Sequence, residues 1–173
     1  MYFFICCGYF FSWLQAPIQA YLRPALWFPG LRAIHQKKER WTVLGDTRSN
    51  FENIKNGIQT LKDWSTTTYG DHEMKIQIVD EEKMFIQMHF LTPFMQWLDV
   101  VELEIRPGQH SGAEVEAHSF STGVFPICFP LAFVINVLLF FVPFYDWGQN
   151  HARLEKIRTF CKIGTDIEFL SNC

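Results

Sequence analysis

The sequence predicts an α+β fold: an antiparallel sheet of about four strands packed on helices, with an N-terminal apolar anchor and an inserted apolar membrane hairpin. Three observations carry this. Apolar residues recur at three- and four-residue steps between Asp46 and Trp64, the period of an amphipathic helix. From Met74 to His118 the period changes to two, in two runs of paired strands. Two further stretches, 1–14 and 123–145, contain no Asp, Glu, Lys or Arg and hold most of the 18 phenylalanines. A bulk composition of 49% apolar and 19% charged residues therefore conceals two lipid-like segments around a water-like domain.

Residues 1–30 read as the apolar anchor. Met1 to Leu14 lacks the basic leader and small-residue cleavage site of a secretory signal. It is also shorter than the roughly 20 apolar residues of a spanning helix. Pro17, Arg23, Pro24 and Pro29 interrupt its continuation, so the segment is expected to enter the membrane interface, bend and return. Phe3, Phe4, Phe10, Phe11 and Trp13 are its expected lipid contacts. Cys6 and Cys7 suit S-palmitoylation in such a setting, or equally the role of two small buried residues. Residues 31–45 read as a basic linker. Its Arg32, Lys37, Lys38 and Arg40 mark the cytoplasmic side or meet anionic headgroups, the alternative being a solvated loop. The short basic clusters and the net charge of −3 argue against nucleic acid as a partner. Five cysteines without a C-x-x-C motif indicate reduced thiols.

Residues 46–173 form the α+β domain. Phe51, Ile54, Ile58 and Leu61 define the buried stripe of its first helix, with Ser49 and Glu52 spaced as a capping box. Met74, Ile76 and Ile78, a polar turn at Asp80–Lys83, then Met84, Ile86, Met88 and Phe90 make one hairpin. Val101, Leu103 and Ile105, a turn opened by Pro107 and Gly108, then Ala113, Val115 and Ala117 make a second. A closing helix is expected after Asp146, whose side chain can cap it with Gln149 completing a capping box, and Gly164 is a natural stop.

The run 123–145 is long enough to span once, but Pro126, Pro130 and Pro143 leave only Leu131 to Val142 uninterrupted. Twelve residues give about 18 Å of helix against a hydrocarbon core of roughly 30 Å. Asn136 in its centre needs a polar partner. The segment therefore reads as a re-entrant hairpin, with Phe129, Leu131, Phe133, Leu138, Leu139, Phe140 and Phe141 as lipid contacts.

The stretch Asp146-Trp147-Gly148-Gln149-Asn150-His151-Ala152-Arg153 resembles the closing D-x-G-x-N-x-x-R motif of the uncharacterised domain of unknown function 1499 family. Residues 117–123 resemble the family's preceding Ser-rich strand, and Leu98 to Glu102 its acidic strand, so the likeness covers roughly 45–160. Two departures stand out: the family's opening Cys motif is absent, and the apolar run 124–143 is an insertion before the last helix. The resemblance implies a fold and no activity. It also implies that the strand before 123 and the helix after 146 lie on one side of a bilayer, which favours re-entry over a single crossing.

Candidate chemistry is sparse. Pairing the second hairpin about its turn sets Glu104 opposite Glu114 and Glu102 opposite Glu116, four carboxylates on one sheet face. The functional reading is an acidic docking face for a basic partner or cation. The alternative is a solvated face relieved by Lys75 or by basic helix residues. The six histidines lack metal spacing, His89 and His118 being the one weak cluster near the glutamates. No nucleophile elbow or phosphate loop occurs, so no catalytic residue, cofactor or metal is assigned. Asp146, Gly148, Asn150 and Arg153 read as structural: a cap, a close-packing glycine, a turn amide and a partner for a strand glutamate. The expected function is that of a non-catalytic, membrane-attached accessory or scaffold subunit of a larger complex. Its partners would be lipids and other membrane subunits, with the domain on the cytoplasmic side of an intracellular membrane. The alternative is a lipid-binding or lipid-transfer module.

Overall fold

The structure, a computed structural model, describes residues 2–22, 36–67, 73–92, 96–108, 112–139, 142, 148–163 and 167–171. Its helices are α1 (Tyr2–Tyr21), α2 (Thr47–Thr67), α3 (Ala132–Leu138) and α4 (Gln149–Cys161). Its strands are β1 (Gln36–Leu44), β2 (Glu73–Asp80), β3 (Phe85–Leu91), β4 (Leu98–Pro107), β5 (Gly112–Ser121) and β6 (Ile167–Ser171). The strands form one antiparallel sheet in the order β2-β3-β4-β5-β1-β6. The α+β class and both hairpins match expectation, and the sheet gains two strands. Residues 36–44, within the supposed basic linker, are β1. Lys38 and Arg40 alternate there with buried Glu39 and Trp41, a strand pattern that the polar composition conceals.

Helices α2 and α4 cover one face of the sheet. Phe51, Ile54, Ile58 and Leu61 of α2, and Leu154 and Ile157 of α4, meet Trp41, Met88, Val101, Leu103, Val115 and Ala117. The two helices cross closely at Gly57, where an added Cβ would lie 2.8 Å from both the Cα and Sγ of Cys161. Asp46 is the cap of α2, its Oδ2 accepting from the N–H of Ser49 at 3.1 Å. The expected Ser49–Glu52 box is therefore one turn too late. Glu52 instead pairs with Lys55, which also reaches Glu81 in the β2–β3 turn.

Helix α4 begins later than expected. Its N-cap is Gly148 at φ +75, a left-handed conformation that favours glycine, with no side-chain cap bond. Among the described residues nothing lies within 4 Å of a Cβ added there, so the left-handed backbone conformation is the constraint the structure shows at this glycine. Asp146 and Gly164 lie outside the described residues.

The other face of the sheet carries a second core at one end. Ala16 and Ala20 of α1 join Leu91, Leu98, Val100 and Phe120 of the strands, with Ile127 and Ala132. At this end the order is therefore helices, sheet, helices, with α1 packed on α3.

Candidate functional site: an inverted helix and its neighbour

Over its described side chains, Phe10 to Tyr21, helix α1 buries its polar residues and exposes several of its large apolar ones. Ser12, Gln15 and Gln19 are buried with Ala16 and Ala20, while Phe10, Leu14, Ile18 and Tyr21 stand in solvent at three- and four-residue steps. The inward side chains hold the end of β5 and the segment after it. Gln15 Nε2 donates to the carbonyls of Ile127 at 3.0 Å and Phe129 at 2.8 Å, and Gln19 Nε2 to that of Thr122 at 3.2 Å. Ser12 Oγ donates to Gln96 Oε1. Trp13 is half-buried beside Lys75, whose Nζ lies 5.4 Å from the ring centroid.

The apolar run after β5 does not project from the domain over its described part, 123–139. Residues 124–131 turn over the sheet end, with Pro126 and Ile127 buried, and lead into the seven residues of α3. Asn136 finds the partner it required: its Oδ1 accepts from the N–H of Phe125 at 2.7 Å and its Nδ2 donates to the carbonyl of Phe125 at 2.8 Å. This pairing explains Gly123, where any Cβ would overlap the Asn136 side chain. Trp97 Nε1 closes the turn on the carbonyl of Val124. Phe129, Leu131, Val134 and Leu138 remain exposed, beside the outward stripe of α1.

Of the expected lipid contacts, Phe10, Phe129, Leu131 and Leu138 are exposed, and Phe11, Trp13, Phe133 and Leu139 are half-buried. The side chains of Phe3 and Phe4 and the whole of Phe140 and Phe141 lie outside the described residues, as do the side chains of Cys6 and Cys7. Leu14, Ile18 and Tyr21 were missed. They lie beyond the aromatic stretch that drew attention, but the spacing 10, 14, 18, 21 was legible as a helical stripe. Among the described residues, no helix is long and apolar enough to cross a membrane.

The acidic face takes a different register. The turn closes between Pro107 and Ala113, two positions wider in total than assumed, so Glu104 lies opposite Glu116, Glu102 opposite His118 and Glu114 opposite Arg106. A shift of two residues preserves the face, which is why the four carboxylates still share it. Neither Lys75 nor the helices relieve them; β1 and Arg106 do. Lys38 pairs with Glu116, Arg40 lies 3.7 Å from Glu114, and Arg106 lies 2.7 Å from Glu104. Burial pushes the Glu116 carboxyl up, but Lys38, Arg106 and Arg40 outweigh it and hold the group below its ordinary range. Glu102 accepts from Gln87 at 2.9 Å and lies 3.6 Å from His118. This ladder of internal pairs leaves little net charge to attract a basic partner. His89 lies on the same face but is sealed at its α1 end, away from His118. No three His, Cys, Asp or Glu among the described residues are grouped to hold a metal.

A polar seam under α4 was not foreseen in full. Arg153 Nη2 lies 2.6 Å from Asp99 Oδ2, both side chains buried, so the partner is an aspartate of β4 in place of the expected glutamate. Asn150 Oδ1 accepts from Ser119 Oγ at 2.7 Å, anchoring the helix start to β5. Glu39 is fully buried, taking the indole N–H of Trp41 at 2.8 Å, with His151 at 3.4 Å and Arg158 at 3.6 Å. Ser119 is thus a buried donor to an amide, without the exposed hydroxyl and adjacent base of a nucleophile.

No protein-family model matches the chain, and no curated protein matches it. Among solved structures, it is similar to Ara h 8.0201 at 10% identity, over 74% of this chain and 93% of that one, with a TM-score of 0.44. It is also similar to CalU16 from Micromonospora echinospora at 8% identity, over 73% and 86%, with a TM-score of 0.39. Likenesses this loose assign neither ligand nor activity.

Proposed function

We propose that this chain is a non-catalytic accessory or scaffold protein attached to one surface of a membrane by the flank that α1 and α3 form. The observation that carries the reading is the inverted polarity of α1. Exposing Phe10, Leu14, Ile18 and Tyr21 to water forgoes about 1.5–3 kcal/mol for each large apolar side chain relative to its burial. The adjoining Phe129, Leu131, Val134 and Leu138 extend the apolar flank, and no Asp, Glu, Lys or Arg occurs in α1 or α3. Such a flank suits in-plane seating at the level of the headgroups and upper acyl chains, which needs no spanning segment. The exposed Tyr21, with Trp97 and the Trp13–Lys75 pair, supplies the aromatic and basic groups favoured at that depth.

In this reading the domain lies on the cytoplasmic side and meets other membrane subunits, and the segment 123–145 contributes a surface patch in place of a deep hairpin. Membership of the domain of unknown function 1499 family belongs to the same proposal, supported by the buried, structural placements of Asn150 and Arg153.

Flotation with phospholipid vesicles tests it. The unaltered chain is expected to float, and the triple variant Leu14→Glu, Leu131→Glu, Leu138→Glu to remain at the bottom of the gradient with an unchanged circular dichroism spectrum. Equal flotation of both proteins overturns membrane seating by this flank. Purification with stoichiometric lipid and without any partner subunit overturns the scaffold reading in favour of lipid carriage.

A further inference from the structure

The turn between β5 and α3 ends in Phe129-Pro130-Leu131, three consecutive apolar residues that all stand exposed. Leu131 is held there against local preference. Its backbone is left-handed at φ 61, a conformation that suits glycine and asparagine and penalises leucine. It precedes α3 without a side-chain cap, and its side chain is 63% exposed. Asparagine would fit that backbone better and show water no apolar surface. We infer that Phe129-Pro130-Leu131 is a rigid wedge that enters between lipid headgroups, and that through it the flank selects loosely packed lipid surfaces over tightly packed ones. The inference rests on the membrane seating proposed above and names the kind of surface.

Rigidity comes from the bonds behind the tip. The N–H of Ile127 donates to the carbonyl of Gln96 at 3.1 Å, and Gln15 holds the carbonyls of Ile127 and Phe129. The Phe129 carbonyl also accepts from the N–H of Ala132 at 3.2 Å. Pro126 and Pro130 fix their own φ, and the Phe129 ring lies against that of Phe125, centroids 5.3 Å apart. A tip already ordered loses little conformational freedom on insertion. It also cannot flatten onto a closed surface, so the gap it fills must come from the lipid. Unsaturated or strongly curved bilayers present such gaps, whereas saturated, sterol-rich ones must be opened. Charge cannot replace this fit. Neither α1 nor residues 122–139 contain Asp, Glu, Lys or Arg, so seating scales with the apolar area inserted. Lys75 beside Trp13 adds a positive charge, which favours anionic lipid without distinguishing its packing.

The test measures partitioning of the full chain onto sonicated dioleoylphosphatidylcholine vesicles and onto large sphingomyelin–cholesterol vesicles, each with and without phosphatidylserine. Partitioning about tenfold stronger onto the loose vesicles is expected, with or without the anionic lipid. Leu131→Asn should lose most of that preference while melting at or above the Tm of the unaltered chain. Leu131→Gly, which also suits the left-handed backbone, provides a second variant with the same expected loss. Equal partitioning onto loose and tight vesicles, or binding that follows phosphatidylserine whatever the packing, overturns the wedge and leaves membrane seating standing. So does a folded Leu131→Asn that binds like the unaltered chain. A Tm lowered in both variants overturns it too, because Leu131 would then serve the fold. No partitioning onto any vesicle overturns the seating itself, and the wedge with it.

Discussion

The pair Arg153–Asp99 shows how much a single side chain carries. Both groups are buried between α4 and β4, and the guanidinium also lies 5.6 Å from the Phe90 ring centroid. Asp99→Ala leaves a buried charge uncompensated and is expected to destabilise the fold by about 3–5 kcal/mol in urea unfolding. Asp99→Leu combined with Arg153→Met removes both charges and should recover much of that loss. Cys161 shows the opposite case, a reactive group made inert. Burial alone pushes its thiol from 9.0 up to about 12. A native pKa above the unfolded one contributes stability that is complete below pH 9 and withdrawn as pH rises towards 12. Cys161→Ala should therefore flatten the alkaline decline in stability. In the unaltered chain, Cys161 should resist iodoacetamide at pH 8 until urea is added.

Among the elements, the segment 122–139 is held by polar side chains more than by its own secondary structure. A helix of seven residues spans only about 10 Å and has little stability of its own. Asn136 supplies the missing order by taking both backbone groups of Phe125. Asn136→Leu leaves those groups without partners, so a loss of about 1–3 kcal/mol is expected, with new proteolytic cleavage within 124–131. Gly123→Ala should reproduce the phenotype, because its methyl group takes the space of the Asn136 side chain. A stability within experimental error of the unaltered chain for both variants would show that Asn136 does not hold the turn. Gln15 plays the matching part from α1, so the two helices of the apolar flank are tied through the same turn.

For the whole molecule, sheet order determines sidedness. β5 precedes the apolar run, β6 follows α4, and both pair with β1 in one sheet. A crossing between residues 122 and 148 would place paired strands on opposite sides of a bilayer. Glycosylation acceptors inserted in the β4–β5 turn and after the C-terminus should therefore report the same side in a microsomal assay. Opposite modification would be incompatible with this sheet. The same order explains why Lys38 and Arg40 meet the glutamate ladder: β1 sits beside β5 although residues 45–111 lie between them.

The sequence by itself determined the elements whose periodicity is local. The stripe of α2, the alternation of both hairpins and the charge-free runs each record burial within a few residues, and they are legible without partners. It also placed Asn136 in need of a polar contact and the four glutamates on one face. Tertiary structure decided what depends on distant chain. β1 is a polar strand whose buried Glu39 and Trp41 reveal themselves only against α4 and β5. The hairpin register follows the width of a turn, which periodicity cannot report. Above all, the direction of α1 required the fold. In isolation its aromatic residues suggest an anchor entering lipid, whereas the packed molecule turns Gln15 and Gln19 inward to the carbonyls of Ile127, Phe129 and Thr122, and Ser12 to the side-chain oxygen of Gln96. Local sequence records which residues avoid water, and only the assembled sheet determines which of them it can cover.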